Sequence, residues 1–498
     1  MGDKTARDLL YSTLDSDWWK MLDEKAEKGE MQKRIYQHPT DLDELFTGVE
    51  DIEIGAHFLG HIRKGDWYLE MGGPKVEYTS YQALEIVDDP DKIVDGRFTL
   101  YGADIPEIPE ETSVPFGMHV FAWGNELTPA HTEYLERGGA ALGIANQEGW
   151  MLVNTRQTIW YRLAKRVMDK FSVEGFTRVA QIMRAAGMTS CPLMEKMEIR
   201  LTIGTPDEAG KNLIAPMRQE CMKLWDSLDA RYMSIDDDDV DEFYGCTICQ
   251  NVAPNHVCIV SPTRLPYCGI LSYIGAKVIY ETDPQGYVFP IQKGEELDRP
   301  LGQYSGVDEM VWGKSNHTVR KVYLNSSILY TTTNCGCFEG VSFYIPEVDG
   351  LGLVTRAYFG TIPLGIPFSQ LAGMISGGAQ NHGFKGIANR GIMSPFFLVG
   401  DGGWNRIVWM PAALKTEVAD SIPEEVYDKI VTDEDTIDPM EIKELLIERE
   451  HPIIKYFWND GEPDPIEIPM PGEDWSEEKE QEVIGRYKRQ MEMIQKGR

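Results

Sequence analysis

The chain has 498 residues, more than a single hydrophobic core accommodates, so two or three domains are expected. Apolar residues make up 42% and charged residues 26%, the balance of a folded globular protein, and no apolar run approaches the length of a membrane span. The formal net charge of −32 weighs against nucleic acid as a partner, because phosphate binding needs dense Lys and Arg, and fits a solvated acidic surface.

The opening Met1-Gly-Asp-Lys-Thr-Ala-Arg lacks the apolar core of an export signal, which sets the expectation of a cytoplasmic chain. Residues 1–54 read as a helical extension. Leu10, Leu14, Trp18 and Leu22 recur every four residues, one apolar stripe that docks on the chain's own body or on a partner. Residues 55–225 read as a middle α+β domain. Trp67-Tyr-Leu-Glu-Met71 runs as a strand into the turn Gly72-Gly73-Pro74, and Val114 to Trp123 and Met197 to Ile203 are further strands. Tyr161 to Met168 and Phe176 to Met188 carry helical periodicity. Residues 226–460 are rich in glycine and short strands, a backbone suited to close approach to a cofactor, and the acidic run Asp236 to Asp239 reads as a solvated loop. Residues 461–498 begin with four prolines between Pro463 and Pro471, an extended linker. A terminal helix follows from about Trp475, with Val483, Tyr487, Met491 and Ile494 on one face. The expected fold class is therefore α/β and α+β in several domains: a helical N-terminal lead, an α+β middle domain and a Gly-rich α+β metal-cluster domain.

The chemistry lies in the cysteines. Six of eight follow one pattern, Cys246-x2-Cys249-x8-Cys258-x9-Cys268 and then Cys335-Gly336-Cys337. Clustered cysteines in a cytoplasmic chain are metal ligands or redox groups more often than disulfides. The first four supply the thiolates of a [4Fe–4S] cluster, or of a structural zinc site. In Cys335-Gly336-Cys337, two thiolates and two backbone nitrogens can chelate a metal in one plane. That ligation suits Ni(II) or Cu(II) and is wrong for zinc; the alternative is a vicinal redox pair. Taken together, the six suggest a composite centre in which a thiolate on one metal bridges to another and leaves a metal with open positions. Cys191 and Cys221 lie outside the pattern and read as buried thiols.

Around these cysteines the chain resembles the acetyl-CoA synthase family, that is, bacterial CO dehydrogenase/acetyl-CoA synthase and the β subunit of the archaeal acetyl-CoA decarbonylase/synthase complex. The resemblance is carried by Phe243-Tyr-Gly-Cys246-Thr-Ile-Cys249-Gln250, Ala253-Pro-Asn-His256-Val-Cys258, Leu265-Pro-Tyr-Cys268-Gly269 and Cys335-Gly-Cys-Phe-Glu339. Met71 to Lys75, Tyr344 to Glu347 and Gly402 to Pro411 add to it, and it runs from about 55 to 455. It implies a [4Fe–4S] cluster on Cys246, Cys249, Cys258 and Cys268. It also implies a proximal nickel on Cys249, Cys335 and Cys337, and a distal nickel on Cys335, Cys337 and the amides of Gly336 and Cys337. The implied reaction condenses CO, a methyl group from a methylated corrinoid iron–sulfur protein and coenzyme A into acetyl-CoA, or reverses it. CO dehydrogenase and ferredoxin are the other implied partners, with neither nucleic acid nor membrane among them. A non-catalytic iron–sulfur carrier or scaffold is the alternative.

Arg156, Trp160 and Arg162 match a segment where the family has a tryptophan near coenzyme A; Arg offers a phosphate fork and indole a stacking face. The short stretch before residue 55 resembles the archaeal type, which lacks the large bacterial N-terminal domain. Val252 stands where the family has phenylalanine, while Phe338 is kept as a wall of the site. Among other candidates, His57 and His61 have no third ligand nearby, His256 reads as a residue that supports the cysteines, and Ser376-Gly-Gly378 reads as a tight loop near the metal site rather than a nucleotide cradle.

Overall fold

The computed structural model describes residues 12–37, 53–54, 62–63, 70–72, 81–102, 115–132, 160–162, 193–205, 207–251, 253–269, 271–336, 338–470, 473 and 475–496. The chain is mixed α/β and forms two compact units. One comprises Met1–Ile235 with Ile270–Gly286, the other Asp236–Gly269 with Tyr287–Arg498. Among the described residues, no helix is long and apolar enough to cross a membrane.

The first unit is built on a mixed five-stranded sheet. Its strands are Gln32–Gln37, Arg97–Gly102, Lys196–Ile203, Phe116–Trp123 and Tyr81–Ile86, in that spatial order. The three inner strands are almost wholly buried, as strands covered on both faces must be. Strands therefore run at Phe116–Trp123 and Lys196–Ile203 as expected, but the polar alternation of Met197 to Ile203 does not mark a solvent face. Buried Glu198 accepts from Arg97 Nη2 at 2.5 Å, Arg200 Nε at 2.8 Å and the Val94 amide at 2.9 Å, so its charge is satisfied inside.

The N-terminal lead is not wholly helical. The helix Asp17–Glu27, capped by Ser16, gives way to the edge strand Gln32–Gln37, which pairs antiparallel with Arg97–Gly102. Leu14, Trp18 and Leu22 of the predicted stripe are buried against Tyr81, Ile214, Met217 and Trp225, so the stripe docks on its own unit. Leu10 lies outside the described residues. Thr13 adds a polar anchor: its amide donates to Glu85 Oε2 at 2.8 Å, and its hydroxyl lies 2.8 Å from His119 Nε2. The helix covering this core, Glu208–Met233, starts on Asp207, whose carboxylate accepts from the Gly210 amide at 3.0 Å. Cys221 on it is a buried thiol outside any disulfide, as expected, 3.5 Å from His119 Nε2. Of the strand predicted at Trp67 to Met71, Glu70 and Met71 lie in the strand Glu70–Gly72, paired with Trp160–Arg162, and Trp67 to Leu69 lie outside the described residues. Tyr161 and Arg162 are thus strand residues, not the start of a helix. The rest of Tyr161 to Met168, together with Phe176 to Met188, His57, His61 and Cys191, lies outside the described residues.

Among the described residues the second unit contains three sheets, one of them the two-stranded antiparallel pair Glu296–Asp298 and Gln303–Tyr304. A small antiparallel one has the order Cys258–Val260, Glu242–Cys246, Val288–Gln292. A larger one has the order Phe384–Ile387, Gly340–Ile345, Gly350–Thr355, Ile407–Met410, Val431–Thr432. Its inner strands are buried throughout. Two expectations are corrected here. Asp237, in the acidic run, is not solvated: it is buried and paired with Arg264, and also accepts from Thr263 Oγ1 at 2.9 Å. The proline-rich stretch is not a free linker either. Ile466 is buried in the main core with Val483 and Tyr487 of the terminal helix Glu477–Lys496, and its amide donates to Tyr344 Oη at 2.7 Å.

Candidate metal centre

The strand Glu242–Cys246 delivers the first ligand at its last residue. Antiparallel pairing sets Cys246 directly opposite Cys258, so sheet register alone brings two thiols from separate sequence blocks side by side. Cys249 sits in the single helical turn Ile248–Asn251 that follows, closed by the Ala253 amide donating to Cys249 O at 2.8 Å. Cys268 lies in the turn after Tyr267, where the Gly269 amide donates to Pro266 O at 2.8 Å.

Cys335 arrives from far along the chain, and Asn334 holds it there. The Asn334 side chain donates to Phe384 O at 3.1 Å and accepts from the Gly386 amide at 2.8 Å, while its backbone is bonded to Ala379 and Gly378. Just beyond, the Glu339 amide donates to Tyr267 O at 3.0 Å, which ties this segment to the residue preceding Cys268. Ser376-Gly-Gly378 does sit here as a tight loop: Gly377 and Gly378 have φ of 109° and 89°, and a Cβ on Gly378 would come 2.9 Å from the Asn255 nitrogen.

Cys246, Cys249, Cys258, Cys268 and Cys335 are all buried thiols outside any disulfide. Burial pushes the Cys246 thiol up to about 11. Burial pushes Cys258 well above its ordinary value, and the neighbouring Cys335, Cys268 and Cys246 push it further. Buried thiols crowded together in this way are stable as thiolates only with cations among them. A second observation agrees. The buried Tyr267 hydroxyl lies near Cys258 and Cys335 and has no hydrogen-bond partner among the described residues, an orphaned polar atom facing the site. The residues present thus fit a polynuclear metal centre.

His256 is placed where a supporting residue should be. The Thr333 hydroxyl accepts from the Val257 amide at 3.1 Å and lies 3.1 Å from His256 Nδ1, and His256 Nε2 lies 3.0 Å from Cys258 Sγ, so the imidazole bridges Thr333 and the Cys258 sulfur. Ligand atoms of Cys249, His256 and Cys335 also lie within 4.8 Å of one another, close enough to share one ion. Behind Cys258 is a cavity of about 60 Å³ whose lining includes Tyr267, Arg264, Lys385, Ile387 and Phe397. Burial, and then the charge of Arg264, push the Lys385 ammonium down to about 7.

Gly336 has φ of 98°, and a Cβ there would approach Ser376 Cβ to 2.8 Å. Gly336→Ala is therefore expected to push Gly336 away from the 376–378 loop and to lower the metal bound per chain several-fold. Metal analysis of both proteins checks this. Phe338 is fully buried, edge-on to Phe368 at 6.1 Å. Val252, Cys337 and Arg156 lie outside the described residues. Trp160 and Arg162 are strand residues opposite Gly72 and Glu70, which joins two of the sequence blocks singled out above. Tyr267, Thr333 and Asn334 are not among the predicted site residues. Tyr267 and Asn334, each one position before a cysteine of the pattern, offer a signal in the sequence, and Thr333 offers none.

Two family models match the chain. The one described as the CO dehydrogenase/acetyl-CoA synthase complex beta subunit matches residues 51–234, and the one for the C-terminal part of the ACS/CODH beta subunit matches residues 225–459. The chain is 40% identical over 422 residues to the acetyl-CoA decarbonylase/synthase complex subunit beta of Methanopyrus kandleri, covering 84% of this chain and 87% of that one. The subunit beta of Methanothermobacter thermautotrophicus is 37% identical over 410 residues, 82% of this chain and 86% of its own length. The solved C-terminal domain of an acetyl-coenzyme A synthase alpha subunit is 38% identical and matches 24% of this chain and 94% of its own, with a TM-score of 0.22.

Proposed function

The chain belongs to the β-subunit family of the CO dehydrogenase/acetyl-CoA synthase complex, and on that premise we propose that it is an acetyl-CoA synthase. It condenses CO, a methyl group from a methylated corrinoid iron–sulfur protein and coenzyme A into acetyl-CoA, or runs the reverse cleavage, in the Wood–Ljungdahl pathway. CO dehydrogenase and ferredoxin are its further partners. The observation that carries this reading is the convergence of five buried thiols, from two distant sequence blocks, on one place.

Cys246, Cys249, Cys258 and Cys268 would hold a [4Fe–4S] cluster. Cys249, Cys335 and Cys337 would hold a proximal nickel, and Cys335, Gly336 and Cys337 a distal one. When bound, these metals supply the electrophilic, carbon-binding chemistry that no side chain here provides. The protein's own contribution is positioning and exclusion of water. Sheet register holds Cys246 to Cys258, Asn334 holds Cys335, and the His256 imidazole lies against the Cys258 sulfur at 3.0 Å. The cavity behind Cys258 has room for a molecule the size of CO or water and none for coenzyme A. Arg156, Trp160 and Arg162 are assigned to the phosphates and adenine of coenzyme A.

Anaerobically purified protein reconstituted with nickel is expected to carry about two nickel and about four iron per chain and to change its spectrum under CO. Zinc in place of nickel after that treatment sinks the proposal.

A further inference from the structure

We propose that Arg356 is a positioning residue for the distal nickel, acting on the peptide group that joins Gly336 to Cys337. The inference rests on the assignment of the two backbone nitrogens of Cys335-Gly336-Cys337 as ligands. Arg356 follows the strand Gly350–Thr355 and is tied down by its own amide, which donates to Glu339 O at 2.9 Å. Its Nη2 donates to the carbonyl oxygen of Gly336, and its Nε donates to the carbonyl of Phe338 at 2.7 Å. One guanidinium thus spans the ligand tripeptide and the residue after it. The guanidinium carbon lies 5.7 Å from the Phe338 ring centre and 5.4 Å from that of Phe368, and these rings fix its orientation.

The oxygen that Arg356 meets has particular chemistry. Gly336 O and the Cys337 nitrogen belong to one conjugated peptide group. When that nitrogen gives its proton to solvent and takes a cation, negative charge is left on the peptide and is shared with the oxygen. A donor already charged and already aimed at this oxygen then makes a charge-assisted hydrogen bond, stronger than the one it makes to a neutral carbonyl. The difference favours the ligating form of the peptide over the free form, and a neutral or apolar side chain at this position cannot supply it. A clamp that only shaped the loop would need the hydrogen bonds but not the charge.

The test uses full-length, anaerobically purified, nickel-reconstituted protein with Arg356→Met and Arg356→Lys variants. The readouts are iron and nickel content, nickel-edge X-ray absorption, and the rate of nickel loss to a chelator. Wild type is expected to show nitrogen ligands on nickel. Arg356→Met is expected to release that nickel at least roughly 10-fold faster with iron unchanged, and Arg356→Lys, which keeps a charge but not the fork, to fall between. Nickel without nitrogen ligands in wild type overturns the ligand assignment and this inference with it. Nitrogen-ligated nickel in wild type that Arg356→Met releases at the wild-type rate overturns the role of Arg356 alone. Loss of iron together with nickel in both variants also overturns it, because Arg356 then holds the fold rather than the metal.

Discussion

Replacing Cys335 with serine is expected to abolish acetyl-CoA formation while leaving most of the cluster iron in place. Cys335 sits close to Cys249 and His256, whereas Cys246 and Cys258 are held opposite one another by the small sheet and do not depend on it. A serine hydroxyl nearly matches the thiol in size, so the buried site keeps its packing, but a hard oxygen donor is a poor substitute for a soft thiolate on nickel. The four thiols assigned to iron are untouched. Three measurements on one preparation decide the matter: iron content, nickel content, and acetyl-CoA formed from CO, a methylated corrinoid protein and coenzyme A. Activity retained by the variant removes Cys335 from the reaction, whereas no activity in either protein, with iron unchanged by the substitution, favours a simple iron–sulfur carrier. Wholesale loss of iron makes Cys335 a cluster ligand instead.

Arg406→Leu is expected to destabilise the second unit by about 3–5 kcal/mol, measured by denaturant unfolding. Arg406 and Asp349 are both fully buried, 2.5 Å apart through Nη2 and Oδ1, and Arg406 Nε also donates to the Asp349 carbonyl at 3.1 Å. Tyr344 Oη donates to the same carboxylate at 2.5 Å while accepting from the Ile466 amide at 2.7 Å. Arg406 reaches Gln490 of the terminal helix at 3.4 Å and lies 4.5 Å from the Phe457 ring centre. Leucine leaves the Asp349 charge buried and unopposed. Burial already holds this carboxyl above its ordinary value, with Arg406 pulling the other way, so removing Arg406 raises it further. A carboxyl that ionises at higher pH folded than unfolded costs stability as pH rises past its unfolded value, so the deficit of the variant should be smallest near about pH 4 and grow toward neutrality. The double variant Arg406→Leu, Asp349→Asn should recover part of the loss, since it removes the stranded charge. A deficit independent of pH and equal in single and double variants assigns the effect to lost packing instead.

Several parts of this arrangement are legible in the residue order. The strands Phe116–Trp123 and Lys196–Ile203 and the helix Glu477–Lys496 lie where pattern and periodicity put them, because each has to bury an apolar face whatever surrounds it. The edge strand Gln32–Gln37 is not legible, because Gln-Lys-Arg-Ile-Tyr-Gln is polar at most positions, and a neighbour's backbone rather than apolar patterning recruits it. Asp237 and the proline-rich stretch read as solvated because charge and proline usually are. Arg264 and Tyr344, distant in sequence, supply the partners that make burial possible. The return of Ile270–Gly286 to the first unit is marked by no change in composition.

The order of residues supplies the candidate donors, six cysteines and the glycine between the last two, and with them the soft, thiol-binding metals that such residue types favour. Thiolate softness and ligand count are properties of residue types and need no coordinates. Only the tertiary structure decided how the donors meet and what surrounds them. Strand register sets Cys246 against Cys258, Asn334 carries Cys335 to them across some eighty residues of chain, His256 comes within 3.0 Å of the Cys258 sulfur, and Arg356 reaches the Gly336 carbonyl. Those are through-space relations between atoms that the order of residues along the chain does not contain, and a hydrogen bond exists only where distance and direction are both met.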